Sequence, residues 1–229
     1  EDLNWFITDT PATITPTLSG SVLEGEEIRL QVVIDDSDGL GAYTLQWQAK
    51  KGTDDWANIT GETGNTLALT QSLVGTYIRA TIDYVDSLGN SQSITSGQSE
   101  MIGNVNDLPT GDLLITGTAD VGEILEADVT QITDADGLGT FVYQWQRSDD
   151  GVSWDNILSA TNSTFTVTTE EALNQIRVQV NYVDGFGALE SLVSAATSII
   201  NLSNYGALGQ PTIIGVVQED ITLESSTDL

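Results

Sequence analysis

Apolar and polar residues alternate along several stretches of the chain. In residues 175–182 the even positions hold Ile, Val, Val and Tyr, and the odd positions hold Gln, Arg, Gln and Asn. This period of two predicts β-strands with one buried face and one solvated face. The same alternation in YTLQWQ at 43–48 places Trp47 on the inner face of a central strand. Turn-forming stretches such as DSDGLG, KKGTDD and SLGNS separate these runs, so we expect roughly seven short strands per hundred residues.

An internal repeat organises the chain. FVYQWQ at 141–146 repeats YTLQWQ, so Trp47 and Trp145 lie 98 residues apart (145 − 47). The same offset pairs further identical residues: Asp36 with Asp134, Asp38 with Asp136, Gly39 with Gly137, Trp56 with Trp154, Tyr84 with Tyr182, and Asp86 with Asp184. We therefore predict an all-β chain of tandem immunoglobulin-like β-sandwiches, the first over 10–103 and the second over 108–201.

Residues 202–229 remain after the two repeats. They contain PTIIGVVQEDITLE, which resembles LLITGTADVGEILE at the start of the second repeat. Two interpretations are open: a linker with the first strand or strands of a third repeat, or a strand donated to a neighbouring subunit. The second interpretation predicts an extracellular filament or surface layer.

The charge of the chain restricts its partners. It has 34 Asp and Glu against 6 Lys and Arg, a net charge of −28. Such a surface repels phosphate backbones and anionic lipid head groups, so we expect neither nucleic-acid binding nor peripheral membrane binding. No run approaches the roughly 18 apolar residues of a membrane span, so we expect no membrane insertion. The chain has no His and no Cys, which excludes imidazole and thiol catalysis and the usual zinc sites. Its first residues, EDLNWFITDT, lack the basic and apolar segments of a signal peptide.

Longer motifs carry a resemblance to a known family. DADGLG, YQWQRSDDG and IRVQVNYVDGFG in the second repeat resemble the tandem Ig-like repeats of large bacterial surface adhesins, including those of the calcium-dependent RTX type. The first repeat differs, with KKGTDDW in place of the SDDG hairpin and Leu45 where the second repeat has Tyr143. The resemblance implies a non-catalytic structural or adhesive module, extracellular or on the cell surface. Its implied partners are neighbouring Ig-like repeats, identical subunits, and a cell-surface or carbohydrate ligand.

Acidic loops suggest a metal site. In an Ig-like sandwich the loops after the second and sixth strands lie at the same pole as the N-terminus. The linker NVNDLP should therefore bring its side chains to a pole that already carries the acids of the second repeat. The expected set is Asn106, Asp107, Asp134, Asp136 and Asp184. Clustered carboxylates repel one another, whereas Ca²⁺ takes six to eight oxygen ligands, so we predict bound calcium.

The linker and the D-x-D loop also resemble the interdomain calcium junction of cadherins, where metal ions stiffen consecutive domains. This resemblance implies that Glu24 and Glu26 approach the same junction from the first repeat. QSLVG at 71–75 contains no acid, so we expect fewer ions or weaker binding than in cadherins. At the front of the first repeat a second, incomplete site is expected, formed by Asp9, Asp36, Asp38 and Asp86.

Other functions remain open from the sequence. The D-x-D-G motifs are also ordinary turn sequences, in which Asp caps the loop and Gly takes a positive φ. Trp56 and Trp154 are either sugar-stacking platforms of a carbohydrate-binding module or residues at the rim of the core. Paired carboxylates serve glycosidases, but these acids are predicted at sandwich poles and in linkers, so we expect no enzyme.

Overall fold

Fourteen β-strands and two short 3₁₀ turns form the chain in a computed structural model that describes residues 9–202. The first repeat contains β1 (Thr13–Gly20), β2 (Glu27–Asp35), β3 (Ala42–Lys51), β4 (Ala57–Asn58), β5 (Thr66–Ala68), β6 (Thr76–Val85) and β7 (Ser91–Thr95). The second contains β8 (Leu114–Thr116), β9 (Ile124–Asp128), β10 (Val142–Ser148), β11 (Asp155–Asn156), β12 (Thr164–Thr166), β13 (Gln175–Val183) and β14 (Leu189–Val193). The 3₁₀ turns are Gln71–Leu73 and Thr169–Glu171.

Each repeat folds into two antiparallel sheets. In the first, β1-β2-β5 forms one sheet and β4-β3-β6-β7 the other. In the second, β8-β9-β12 and β11-β10-β13-β14 repeat the arrangement. The predicted fold class, tandem immunoglobulin-like β-sandwiches with seven strands each, is confirmed. The predictions for the C-terminal segment, a third repeat or a donor strand, lie outside the described residues.

A tryptophan on the third strand of each repeat occupies the centre of each core. Trp47 on β3 and Trp145 on β10 are fully buried. Each indole N–H donates to a backbone carbonyl, that of Gly64 at 2.7 Å and that of Asn162 at 2.9 Å. Because the chain has no cysteine, apolar packing around these indoles takes the place of an intersheet disulfide.

The first sheet is shorter in the second repeat. β2 pairs with β1 over eight residues, as far as Asp35 opposite Thr13, whereas β9 ends at Asp128. Oδ1 of Asp128 accepts hydrogen bonds from the backbone N–H and the hydroxyl of Thr130, at 2.9 and 2.7 Å, which turns the chain out of the sheet. Asp134 therefore follows six residues after its strand (134 − 128), not directly as expected.

By their internal contacts the residues divide into two compact units. Among residues 9–202, the first comprises residues 9–109 and the loops Thr133–Gly139 and Val183–Ala188. The second comprises Thr110–Ile132, Thr140–Tyr182 and residues 189–202. The sandwich boundaries predicted from the sequence, 10–103 and 108–201, stay a prediction. No helix in residues 9–202 is long and apolar enough to cross a membrane.

Candidate metal centre

Three carboxylates meet within the first unit. Glu24, Asp107 and Asp136 each offer an oxygen, and these oxygens all lie within 4.8 Å of one another. Glu24 lies in the turn before β2, where its N–H donates to the carbonyl of Gly103 at 3.0 Å. Asp107 belongs to the linker, and Asp136 to the loop Thr133–Gly139. Like charges at this spacing repel one another, and a cation removes that repulsion.

Asp136 is the most firmly held of the three. It is only 4% exposed. Its Oδ2 accepts the backbone N–H of Asp107 at 2.7 Å, and its Oδ1 accepts the side-chain amide of Gln71 at 2.9 Å. Its own N–H donates to Oδ1 of Asp134 at 2.8 Å, the bond expected of a D-x-D turn. These bonds fix the carboxylate in a buried position before any ion binds.

Three buried side-chain oxygens have no hydrogen-bond partner within the described part of the chain: Gln71 Oε1, Asn104 Oδ1 and Asp184 Oδ2. Buried polar atoms are nearly always satisfied, and leaving one unmet costs about 1–3 kcal/mol. All three atoms are acceptors, the type of ligand that Ca²⁺ requires. They belong to the first unit, as do the three clustered carboxylates.

The unmet oxygen of Asp184 has a cause in the sequence. In the first repeat, Oδ2 of Asp86 accepts the side-chain amide of Asn90 at 2.9 Å. The offset of 98 residues places Ala188 at the position of Asn90, so Asp184 loses that donor. Its Oδ1 keeps the backbone bonds, from Phe186 and Ala188 at 2.8 Å each. Buried Asp184 therefore keeps one oxygen available to a cation.

The loop of Asp184 is tied to the loop of Asp136. The N–H of Gly185 donates to the carbonyl of Asp136 at 3.0 Å. Of the other residues predicted for this site, Asp134 accepts a hydrogen bond from the backbone N–H of Asp136. Asn106 and Glu26 are exposed. The structure thus brings Glu24, Asp107 and Asp136 together, while the metal-binding role of the whole predicted set stays a prediction.

The acids at the front of the first repeat are arranged differently. Oδ2 of Asp36 accepts the Tyr84 hydroxyl at 2.7 Å, and its Oδ1 accepts the N–H of Asp38 at 2.9 Å. Oδ2 of Asp38 accepts the N–H of Thr10 at 2.5 Å. These bonds are those of an ordinary capped turn, in which the chain itself satisfies the carboxylates.

Asp9 and Asp86 form a pair within that group. The side-chain nitrogen of Asn90 lies 2.9 Å from Oδ1 of Asp9 and 2.9 Å from Oδ2 of Asp86. Partial desolvation and the neighbouring carboxylate of Asp86 raise the pKa of Asp9. The side-chain and backbone donors of Asn90, with the N–H of Leu88, lower the pKa of Asp86. The incomplete second calcium site predicted here stays a prediction.

The two neutral oxygens were not identified from the sequence. Gln71 lies in QSLVG, a segment that contains no acid. Its amide nitrogen bonds to Asp136, and its amide oxygen is buried beside that bond. Asn104 is the first residue of the linker NVNDLP, of which only Asn106 and Asp107 are among the predicted ligands. Carbonyl oxygens of Asn and Gln are regular calcium ligands, and this was the available signal.

The two tryptophans considered as sugar platforms are half-buried. The guanidinium carbon of Arg79 lies 4.3 Å from the ring centroid of Trp56, and that of Arg177 lies 4.3 Å from the ring centroid of Trp154. In each repeat a cation therefore already covers one face of the indole.

A family described as a domain of unknown function (DUF8696) matches residues 116–201, within the second repeat. No curated protein matches the chain. A solved structure from a study of host cell surface retention of a 1.5-MDa bacterial ice-binding adhesin is similar with a TM-score of 0.30 and 11% identity. That similarity covers 85% of this chain and 67% of that one.

A structure described as a Ca²⁺-stabilized adhesin that helps an Antarctic bacterium reach out and bind ice gives a TM-score of 0.32 and 10% identity, over 85% of this chain. The chain spans half, 50%, of that structure's length. A crystal structure of titin domains gives a TM-score of 0.29 and 16% identity, over 84% of this chain and 68% of that one.

Proposed function

We propose that this chain is a non-catalytic structural module of a bacterial surface adhesin, and that Ca²⁺ fixes the linker Asn104–Pro109 against the first unit. The observation that carries the proposal is the meeting of Glu24, Asp107 and Asp136 within 4.8 Å, in a unit that also holds three buried oxygens with no hydrogen-bond partner among residues 9–202. The resemblance of the repeats to bacterial surface adhesins, seen in the sequence, supports the module's role.

The ligand set has the chemistry of a calcium site. Three carboxylates more than balance the charge of a divalent ion, and we expect the unmet amide oxygens of Gln71 and Asn104 to serve as neutral ligands. Asp184 lies outside that three-carboxylate group, but its unmet oxygen belongs to the loop bonded to Asp136, and we expect it to approach the ion. Such a set of hard oxygen atoms suits Ca²⁺, whereas Mg²⁺ demands a tighter octahedron and gives up its water reluctantly.

Binding in this place has a mechanical consequence. Asp107 belongs to the linker, Glu24 to the turn before β2, and Asp136 to a loop from the second repeat's sequence. One ion that contacts all three removes rotational freedom from the linker, which is the role of a spacer module. The extracellular location belongs to the same proposal, since extracellular calcium modules work at Kd values of about 10⁻⁴–10⁻³ M.

The test is thermal unfolding of the full chain in about 10 mM Ca²⁺, in the same concentration of Mg²⁺, and in chelator. Calcium at about a hundred times its Kd should raise the Tm by about 5–10 °C. Mg²⁺ should give a smaller rise. Equal melting in calcium and chelator would contradict the proposal and leave these loops as ordinary acidic turns.

A matched pair of variants identifies the site. Asp136→Asn should abolish most of the calcium-dependent rise, because it removes a charge from the centre of the cluster. Asp55→Asn removes the same charge from an exposed loop of the same unit and should leave the rise unchanged. Equal responses of the two variants would mean that calcium acts through general charge screening and not through this site.

A further inference from the structure

A cavity of about 450 Å³ opens in the second unit beside Tyr143. Its polar lining comes from four segments: β8, β9 with its following turn, β10, and the residue before β12. The side chains that matter are Thr116, Glu126, Asp128, Thr130, Tyr143 and Ser163. None of these residues belongs to the candidate metal centre, and all lie in the second unit.

The early end of β9 accounts for this opening. Tyr143 lies two residues before Trp145 and so points from β10 toward the same inner face. In the first repeat the equivalent residue, Leu45, is 5% exposed, and β2 continues to Asp35 in the opposite sheet. In the second repeat β9 stops at Asp128, and Tyr143 is only half-buried.

A glycine packs closely against the turn that follows β9. The N–H of Ile132 donates to the carbonyl of Val129 at 3.1 Å, which closes a turn directly after β9. Gly111 has φ +88° and packs against this turn, where a Cβ would lie 1.9 Å from the carbonyl oxygen of Gln131. The cavity therefore lies where β9 ends and the chain turns away from the sheet.

The lining selects a class of ligand. It offers one aromatic ring, two carboxylates and three aliphatic hydroxyls, and it contains no Lys or Arg. Anions are repelled by Glu126 and Asp128, and a purely apolar ligand would leave these groups without partners. A sugar ring has C–H faces that pack on an aromatic ring and hydroxyls that donate to carboxylates. The volume lies within the usual range for small-molecule sites, about 300–1,000 Å³.

The groups are free to make such contacts. Within the described residues no hydrogen bond engages the Tyr143 hydroxyl or the Glu126 carboxylate, and Glu126 is exposed. Asp128 uses Oδ1 to cap its turn. We propose that this cavity of the second unit binds a neutral saccharide, with Tyr143 as the stacking platform and Glu126 and Asp128 as hydroxyl acceptors.

The experiment is NMR titration of the full chain with the methyl glycosides of glucose, galactose, mannose and N-acetylglucosamine, each to about 100 mM, which detects millimolar affinity. At least one glycoside should give saturable shifts of the amides of residues 126–130, 143 and 163. Tyr143→Leu, which installs the residue that the first repeat carries at Leu45, should weaken that binding about tenfold or more. Glu126→Gln, at an exposed position, should weaken it without altering the fold.

Three outcomes would overturn the proposal: no saturable shift with any of the four glycosides, shifts confined to other parts of the chain, or shifts that persist unchanged in both variants. Spermidine serves as the cationic probe. If spermidine shifts the same amides and the glycosides do not, the cavity is a site for cations and the saccharide assignment is wrong. Calcium is kept out of one set of titrations, so the result is independent of the proposed metal centre.

Discussion

The side-chain nitrogen of Gln71 lies 2.9 Å from Oδ1 of Asp136 and 3.1 Å from the carbonyl oxygen of Ala135. Two acceptors on one nitrogen fix the plane of the amide. The amide oxygen is consequently buried, with no hydrogen-bond partner in the described residues. Gln71 thus donates a hydrogen bond to Asp136, and in the proposed calcium site its oxygen would be an acceptor for the ion.

Gln71→Glu should lower the stability of the calcium-free chain and raise its affinity for calcium. A glutamate cannot donate to Asp136, and it adds a fourth negative charge to the cluster, so the variant should melt below the native chain in chelator. With calcium the added charge becomes favourable, and the Kd should fall by roughly tenfold, since the number of charged ligands tunes calcium affinity. Isothermal titration calorimetry gives the Kd, and thermal unfolding gives the two Tm values.

Gln98→Glu is the matched control, because Gln98 is an exposed glutamine of the same unit. It introduces the same charge far from the proposed ligands and should change neither the Kd nor the Tm in chelator appreciably. If Gln71→Glu binds calcium no more tightly than Gln98→Glu does, then Gln71 is not part of a calcium site.

Asp184→Asn and Asp86→Asn should behave differently although they occupy equivalent positions in the two repeats. Oδ2 of Asp86 accepts the side-chain amide of Asn90, whereas Oδ2 of Asp184 has no partner in the described residues. In chelator, Asp86→Asn should lower the Tm, because two amides then face each other. Asp184→Asn should be neutral or stabilising there, because it removes a buried charge that nothing compensates.

Calcium should invert the order of these two variants. We expect the proposed ion to reach Oδ2 of Asp184, so Asp184→Asn should lose most of the calcium-dependent rise in Tm, while Asp86→Asn should keep it. Differential scanning fluorimetry with and without calcium is sufficient. A full calcium response in Asp184→Asn would remove Asp184 from the proposed ligands.

The repeat and the alternation of apolar residues predict most of the fold. The offset of 98 residues places both tryptophans on the third strands, and the acids Asp36 and Asp86 directly follow β2 and β6. Such features depend on local pattern alone: period-two alternation marks the strands, and Asp-rich turns mark the loops.

The remaining features depend on contacts between segments far apart in sequence. Nothing within QSLVG indicates that the amide of Gln71 meets Asp136, because 65 residues separate the two positions. The turn after β9 packs at Gln131 against Gly111, a contact between two segments that a single-strand pattern does not contain. Sequence reasoning therefore identified the acids of the site but not the neutral oxygens beside them.

The pair Glu171 and Arg147 offers a test of a buried charge that is independent of calcium. Glu171 is 2% exposed, and its Oε2 accepts the N–H of Thr168 at 2.9 Å and the Thr168 hydroxyl at 2.7 Å. Its Oε1 lies 3.4 Å from Nη1 of Arg147. In the first repeat the equivalent positions hold Leu73 and Ala49, an apolar pair.

Glu171→Ala should destabilise the second unit by about 0.5–2 kcal/mol, because the capping box between Thr168 and Glu171 is lost. Arg147→Ala alone should cost only about 0–1 kcal/mol, since its side chain is 39% exposed. The double variant Glu171→Leu with Arg147→Ala copies the first repeat and should recover part of the loss. Native-state hydrogen exchange of the full chain separates the two units, and equal protection in all variants would contradict this account.

Asp150 should make the hairpin after β10 sensitive to acid. Its Oδ1 accepts the backbone N–H groups of Val152 and Ser153 at 2.7 Å each and the Ser148 hydroxyl at 2.9 Å, and these bonds hold its pKa far below the ordinary value. Below about pH 4 the Asp150 carboxylate is protonated in the unfolded chain but stays ionised in the folded chain. Its contribution to the free energy of unfolding is therefore complete at neutral pH and is lost as the pH falls toward the folded-state pKa. Asp150→Asn should therefore lower the Tm most at pH 7 and progressively less in acid. Thermal unfolding followed by circular dichroism over a pH series measures this trend. The control is Asp149→Asn, at the exposed neighbouring position, which should give no such trend. A Tm difference for Asp150→Asn that stayed constant down to about pH 2 would mean that the ionised carboxylate contributes nothing specific to this turn.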